Sequence, residues 1–452
     1  MVIKNVVILD GCGLKDQDLA PILQNFSDLL RGDGCRVETV SLRQLKLGHC
    51  LGCFGCWVKT PGRCVEDDAG RHIARAVIQS DATLFFTPVT FGGYSPELKR
   101  IFDRFIQLIS PYFRLDHGEV HHPPRYTRLP RLIMVGAQRQ PNPHEARIFR
   151  TLAGRNAINF CPPSYAAEVV LASDPAETLR RRFAALLTRC DAFPYGEAAA
   201  SLMPQPVAAE AISGAGLSKR ALLIIGSPKT NRPSTSSVLG DYLLGRLAGH
   251  GWETESLTLR ASLNREEGQA ELLRSVDRAG LILLVFPLYA DALPFLVTKA
   301  LEVMAAGRRA ASQPSPKRLL AVVNSGFPET HQNSLALAIC QEFAAQTGIA
   351  WSGGLALGGG GIVGSKPLTE SKRSGPPVLH IIRALDLTAA ALAQGQPAPP
   401  EAMKLMARNP IPMMPFALWR WIYMRLGGKG FEREAARNGI PKDRLLDQPY
   451  AV

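Results

Sequence analysis

The chain is expected to fold as two α/β domains in tandem, each a doubly wound parallel sheet between helical layers (three-layer α/β/α), with a short helical C-terminal tail. Three observations lead there. Short β-rich runs such as "NVVILD", "RALLIIG" and "LILLVF" alternate with amphipathic helical stretches such as "LAPILQNFSDLLR" and "SVLGDYLLGRLA", an order that yields parallel strands with right-handed crossovers. The strongest runs are apolar throughout, as strands covered by helices on both faces require. The pattern also occurs twice: "GCRVETVSLR" (34–43) aligns without a gap on "GWETESLTLR" (251–260), 217 positions later, each a helix-ending glycine followed by a short alternating strand.

A chain of 452 residues is long enough for two independent cores. Its 46% hydrophobic and 20% charged content is that of a globular protein and excludes disordered and collagen-like classes. The expected division is a first domain at 1–195, a linker at 196–218 rich in Ala, Gly, Ser and Pro, a second domain at 219–392, and a linker with a basic aromatic tail at 393–452.

The net charge of +13 favours phosphorylated cofactors or anionic surfaces. The basic residues are scattered, without runs interleaved with aromatics, so nucleic acid is not an expected partner. In the tail, "PIPMMPFALWRWIYMRLGG" (410–428) holds only about eleven consecutive mostly apolar residues with Arg420 among them, too short and too charged to span a bilayer. It reads as a helix docked on the protein's own surface, or as one making peripheral membrane contact with Trp419 and Trp421 at headgroup level. No signal peptide is evident, and the nine cysteines are odd in number with one tight cluster. That pattern points to a reducing, cytoplasmic setting and to metal or redox chemistry in place of disulfides.

A second pair of anchors, 80–100 and 278–299, sets Pro88 opposite Pro287 at a spacing of only 199. The shortfall places an insertion in the first half, and Cys50, Cys53, Cys56 and Cys64 all lie in it. A third pair, "RLIMVGAQRQ" (131–140) and "RLLAVVNSGF" (318–327), completes the parallel.

The first strand of the second half runs into "GSPKTNRPSTSS" (226–237) and then a helix. Ser227, Lys229, Ser234, Thr235 and Ser236, with the positive end of that helix, would suit a phosphate; alternatively Ser234 simply caps the helix. The equivalent loop of the first half carries Asp10, Asp16 and Asp18, and is expected to bind a phosphate poorly because like charges repel. The third strand of each half ends at a proline, followed by an aromatic-bearing loop and a proline that opens the next helix. Pro88, Thr90, Phe91, Gly92, Gly93 and Tyr94 form that loop in the first half, and Pro287, Leu288, Tyr289 and Ala290 in the second. Such loops can lay backbone and aromatic faces on a flat ring.

These residues resemble a family. "GSPK...STSS" with "FPLYADALP" looks like the NAD(P)H-dependent FMN reductases of the flavodoxin-like superfamily, and the first half resembles iron-sulfur flavoproteins. The resemblance covers most of 3–190 and 219–370. It implies two flavodoxin-like domains, FMN as cofactor and NAD(P)H as electron donor. It further implies that the hydroxyl loop takes the FMN phosphate, that the Tyr289 loop lines the flavin, and that Asn324, Ser325 and Gly326, with the "GGGG" run at 358–361, complete the pocket. The first half matches the flavin loop but departs from the phosphate loop. Family members generally dimerise near the flavin, so a tandem copy would be a pseudo-dimer within one chain, alone or in a homo-oligomer. The expected activity is an FMN-dependent oxidoreductase passing electrons to a small-molecule or protein acceptor such as a quinone or disulfide, or to a cluster. The other readings are a flavin electron carrier or redox-sensing module without substrate turnover, and a scaffold that has lost flavin.

The cysteine spacing is C-x2-C-x2-C-x7-C. Its first three thiols resemble the start of a ferredoxin run able to wrap a four-iron four-sulfur cluster, and a Pro-Gly turn returns the fourth. Zinc, with His49 as a substitute ligand, and thiol-redox or packing roles remain open. His117, His121 and His122 read as metal ligands, proton donors or solvated loop residues, and Asp103 with Arg104 as an ion pair or cap. No catalytic acid-base constellation stands out, as expected where a cofactor carries the chemistry.

Overall fold

The computed structural model describes residues 3–188, 217–229, 233–371, 378–409, 411 and 414–451. Cys190 and all but the last two residues of the expected linker lie outside them. Contacts divide the chain into two compact units, Met1–Ser201 together with Ile422–Val452, and Leu202–Trp421.

In the first unit, β1 (Asn5–Asp10), β2 (Arg36–Ser41), β3 (Ala82–Pro88), β6 (Arg131–Gln138) and β7 (Tyr165–Leu171) form a sheet in the order β2-β1-β3-β6-β7. A hairpin of β4 (Arg114–Asp116) and β5 (Glu119–His121) stands apart. In the second unit, β8 (Arg220–Ile225), β9 (Glu253–Thr258), β10 (Leu281–Pro287), β11 (Arg318–Asn324) and β12 (Ala350–Leu357) run in the order β9-β8-β10-β11-β12. Every pairing in both sheets is parallel. Both orders are 2-1-3-4-5, the doubly wound arrangement of flavodoxin-like folds, whose ligand crevice lies at the carboxyl ends of the first and third strands.

Burial explains the two kinds of strand seen in the sequence. The apolar runs are central: β3 is buried at every position and β10 at all but its terminal proline. The alternating segments are the sheet edges β2 and β9, which are largely exposed. Helices begin where a side chain caps them. Asp68 accepts from Gly70 N at the start of Ala69–Gln79, Ser95 from Leu98 N before Pro96–Phe102, and Asn142 from Glu145 N before Pro143–Phe160.

The tail helix is Phe416–Arg437. From Ile422 onward its residues belong to the first unit, where Phe431, Ala435, Ile440 and Leu445 pack with Cys56, Trp57 and Val58. Leu418, Trp421 and Leu426 face outward. Among the described residues no helix is long and apolar enough to cross a membrane.

Candidate flavin and cysteine sites

In the second unit the loop after β8 leads into the helix Thr235–Gly249. Ser234 caps it: its Oγ accepts from Ser237 N at 3.1 Å, while Ser237 Oγ accepts from Ser234 N at 2.9 Å. The helix therefore uses Ser234 as its cap. Ser236 points elsewhere, its Oγ accepting from Asn324 Nδ2 at 2.8 Å, and the same amide donates to Phe286 O at 3.0 Å. Thr235 Oγ1 donates to Gly360 O at 3.2 Å, and Gly360 N donates to Ser325 O at 2.8 Å. The structure thus gathers Ser234–Ser236, Asn324, Ser325 and the glycine run at the carboxyl ends of β8, β11 and β12. Ser227 is buried, while Lys229 and Gly326 are exposed, and positions 227–236 contain no acidic residue.

The loop after β10 joins this group, since Leu288 N donates to Asn324 O at 2.8 Å. Tyr289 and Ala292 exchange backbone hydrogen bonds across Ala290 (φ 49°) and Asp291 (φ 58°). Both central residues are left-handed, as in a type I′ turn, where glycine or asparagine would be at ease. Pro287, Leu288, Tyr289 and Ala290 are half-buried.

The first unit repeats the turn but closes it. Thr90 and Gly93 exchange the same bonds across Phe91 (φ 54°) and Gly92 (φ 86°). Here Pro88, Thr90, Phe91, Gly92, Gly93 and Tyr94 are all buried, beneath the helix Pro143–Phe160. Gly92 N donates to Glu145 Oε1 at 3.2 Å, and Tyr94 OH to Asn156 Oδ1 at 2.7 Å. A Cβ on Gly92 would stand 2.6 Å from Ile148 Cβ.

The loop after β1 is also filled, by its own carboxylates. Asp10 Oδ1 accepts from Cys12 N at 3.0 Å and Asp16 Oδ2 from Gly13 N at 2.9 Å. Arg43 pairs with Asp10 at 2.9 Å, and Arg139 with Asp16 at 2.9 Å and Asp18 at 2.7 Å. Arg139's hydrogen bond holds the Asp18 carboxyl below its ordinary range. The acidic side chains are neutralised, so the physical obstacle to a phosphate is occupied donors more than repulsion. Asp16→Ala should cost about 1–3 kcal/mol by stranding the Gly13 N–H and should leave flavin content unchanged. A melting curve and a flavin assay on one preparation check both.

Cys50, Cys53, Cys56 and Cys64 line one cavity of about 30 Å³ together with His49 and Arg104. All eight described cysteines are free. Cys56 is buried, Cys50 and Cys64 partly buried, and Cys53 exposed; Gly55 N donates to Cys53 Sγ at 3.4 Å. Burial pushes the Cys50 thiol up to about 12 and raises Cys56 well above its ordinary value. In metal-free protein at pH 8, iodoacetamide should therefore label Cys53 rapidly and leave Cys50 and Cys56 largely unmodified, which peptide mass mapping reads directly. Among the described residues no three His, Cys, Asp or Glu side chains converge on a single ion. Four thiols around one shared cavity are a donor set suited to a polynuclear iron-sulfur cluster.

Several sequence readings resolve differently. Asp103 and Arg104 are not paired with each other: Asp103 pairs with Lys99, and Arg104 with Asp68 at 2.7 Å. His121 is held by Glu119 and Asn159 at 3.1 and 3.0 Å. His122 bonds Tyr112 O at 2.7 Å, and burial lowers it to about 4. His117 sits at the surface beside Asp116.

Comparison with known proteins finds similarity in one segment. Residues 20–117 match the NADPH-dependent FMN reductase family. The reductase-like segment begins just past the carboxylate-filled loop and includes the buried turn and the cysteines. Curated relatives are iron-sulfur flavoproteins. That of Methanocaldococcus jannaschii is 27% identical over 99 residues, 22% of this chain and 50% of the relative. That of Archaeoglobus fulgidus is 32% identical over 77 residues, 17% of this chain and 34% of the relative. The chain thus spans about half or less of the length of these relatives. Among solved structures, an NAD(P)H:quinone oxidoreductase from Methanothermobacter marburgensis is 16% identical, with 40% of this chain and 96% of that chain covered and a TM-score of 0.33. An FMN-dependent NADH-azoreductase from Bacillus anthracis in complex with FMN is 14% identical, with 38% and 99% covered and a TM-score of 0.28. Likeness at that level carries no weight beyond the strand order itself.

The sequence reading missed what surrounds the reductase-like segment's cysteines. Trp57 Nε1 donates to Ile106 O and Ile109 O at 3.0 and 3.1 Å, and its ring meets Phe431 at 4.9 Å. Tyr450 OH donates to Gln107 Oε1 at 3.3 Å, and the Gln107 amide oxygen also accepts from Cys64 N at 2.8 Å. The last residues of the chain therefore help to frame the cysteine segment. The only sequence signal for this was the apolar and aromatic character of the tail.

Proposed function

We propose that the protein is an FMN-dependent oxidoreductase taking electrons from NAD(P)H, with its flavin in the second unit and a four-iron four-sulfur cluster on Cys50, Cys53, Cys56 and Cys64. The contrast between the two strand-end sites carries the first part. The second unit presents a helix start free of acidic residues beside a half-open turn, whereas the first unit has filled its anion donors and buried its turn. The cavity shared by four thiols, together with the likeness to iron-sulfur flavoproteins, supports the second part.

In this reading the N–H groups of the first turn of Thr235–Gly249, with Lys229, receive the phosphate. Asn324 fixes Ser236 against the end of β10, and the Leu288–Ala290 backbone borders the ring. FMN, when bound, supplies hydride acceptance from a nicotinamide and one-electron transfer. The protein contributes position and charge, and no acid-base residue is assigned. The acceptor is a small molecule or a redox protein.

The test is NADH and NADPH oxidation by anaerobically purified full-length protein, with a quinone or an azo dye as acceptor. Turnover supports the enzyme. Bound flavin that no nicotinamide reduces would contradict it and favour a carrier or redox-sensing module, for which the exposed Cys53 edge offers an electron exit.

A further inference from the structure

Two buried guanidinium groups belong to the unit that holds the clustered cysteines, and one of them, Arg104, lines their cavity. The Arg104 side chain is 0% exposed and lines the cavity. Its Nη1 donates to Asp68 Oδ2 at 2.7 Å and Gly48 O at 3.2 Å, and its Nη2 to Glu66 O at 3.4 Å. These contacts tie together the backbone on either side of the cysteine run. Its Nε is buried without a hydrogen-bond partner, and the Cys64 sulfur lies within its electrostatic reach. Room for the guanidinium comes from Gly70, where a Cβ would stand 2.7 Å from Arg104 Cζ.

Arg125 is 3% exposed, and the hydrogen bonds it makes all go to carbonyls: Gln107 O at 3.0 Å, Leu445 O at 2.8 Å, Asp447 O at 3.0 Å and Ile109 O at 3.3 Å. Its electrostatic neighbours are Tyr126, Cys56 and Asp447. A buried cation costs several kcal/mol unless an anion accompanies it. Asp68 supplies one carboxylate for Arg104 and Asp447 one near Arg125, and neutral thiols would add no charge. A cluster would, because ligation keeps its four thiolates deprotonated and their charge exceeds that of the iron-sulfide core they would hold.

We propose that Arg104 is the positioning and counter-charge residue of the cysteine site, raising the reduction potential of the cluster held there. The inference rests on the cluster reading above. Reduction adds negative charge to a group in a low-dielectric site, and a fixed cation nearby favours that added charge. Arg104 also holds Gly48 and Glu66 in place, so it acts on ligand geometry as well.

The experiment uses full-length protein purified anaerobically, with iron and sulfide assays and a reductive titration followed by electron paramagnetic resonance. Wild type is compared with R104Q, R104K and G70A. The expected result is that R104Q keeps its iron and sulfide with a midpoint potential shifted negative. G70A, which displaces the guanidinium without removing it, should shift the same way, and R104K should return most of the change. Should R104Q fail to assemble a cluster, retention in R104K at near wild-type potential still supports the counter-charge. An unchanged potential in R104Q, or loss of iron in both R104Q and R104K alike, overturns it and leaves Arg104 a structural tie. Wild-type protein without iron and sulfide overturns the cluster reading and this inference together.

Discussion

Ser236→Asp is expected to empty the second unit of flavin. The substitution recreates there what the first unit already does, where the Asp10 and Asp16 carboxylates occupy the backbone donors of Cys12 and Gly13. Ser236 is the second residue of the helix Thr235–Gly249, and a carboxylate in a first turn favours the helix itself by about 0.3–1 kcal/mol. Ser236 is also buried and accepts from Asn324 Nδ2, so an intact fold must accompany the loss of flavin for it to report on the phosphate site. The Ser236 side chain is directed at Asn324, but its backbone belongs to the helix start that receives the phosphate in this reading, and like charges brought together at a binding site cost several kcal/mol. That corresponds to a fall in FMN affinity on the order of 100-fold or more. Fluorescence titration of the apoprotein with FMN measures it, with circular dichroism as the folding control. Full flavin occupancy in S236D would show that the phosphate sits elsewhere.

Cys56→Ser is expected to remove essentially all iron. Cys56 is the most buried of the four clustered cysteines, at 7% exposure, and packs with Trp57 and Ala435. It interacts electrostatically with each of the other three, with which it lines one cavity. A serine hydroxyl is a poor iron ligand at neutral pH, and three thiolates leave one iron of a cubane without its protein ligand. Iron should fall from about four per chain to below one, while flavin in the second unit stays at its wild-type level. Cys340→Ser serves as control, because Cys340 is buried in the second unit and should leave iron unchanged. Equal iron in C56S and wild type would remove the cysteines from the metal reading.

Much of this architecture can be read along the chain because it is local. Apolar runs such as "LILLVF" mark central strands, and prolines at 88 and 287 mark where the third strands stop. The spacing of the cysteines reflects how a short loop wraps a small object. What the sequence does not display is pairing over long separation. Arg43 and Arg139 neutralise Asp10, Asp16 and Asp18 only because the sheet brings β2 and the end of β6 beside the first loop, so three aspartates read as repulsive when they are satisfied. Arg104 and Arg125 look like ordinary surface charges in the sequence, and their burial beside the cysteines follows from the fold. The Phe91 turn and the Tyr289 turn read alike, although one lies under the helix Pro143–Phe160 and the other is half-open. The covering helix begins more than forty residues beyond the turn, and nothing in the turn itself announces it.

The account turns on one flavin and one cluster per chain, and the most direct test is stoichiometry. Anaerobically purified full-length protein should be assayed for flavin, iron and acid-labile sulfide on a single sample, alongside its visible spectrum. The expected result is a single FMN with about four irons and four sulfides per chain, seen as flavin bands over a broad shoulder at roughly 400 nm. Two flavins per chain would contradict the closed first-unit site, and flavin without iron and sulfide would contradict the cysteine assignment.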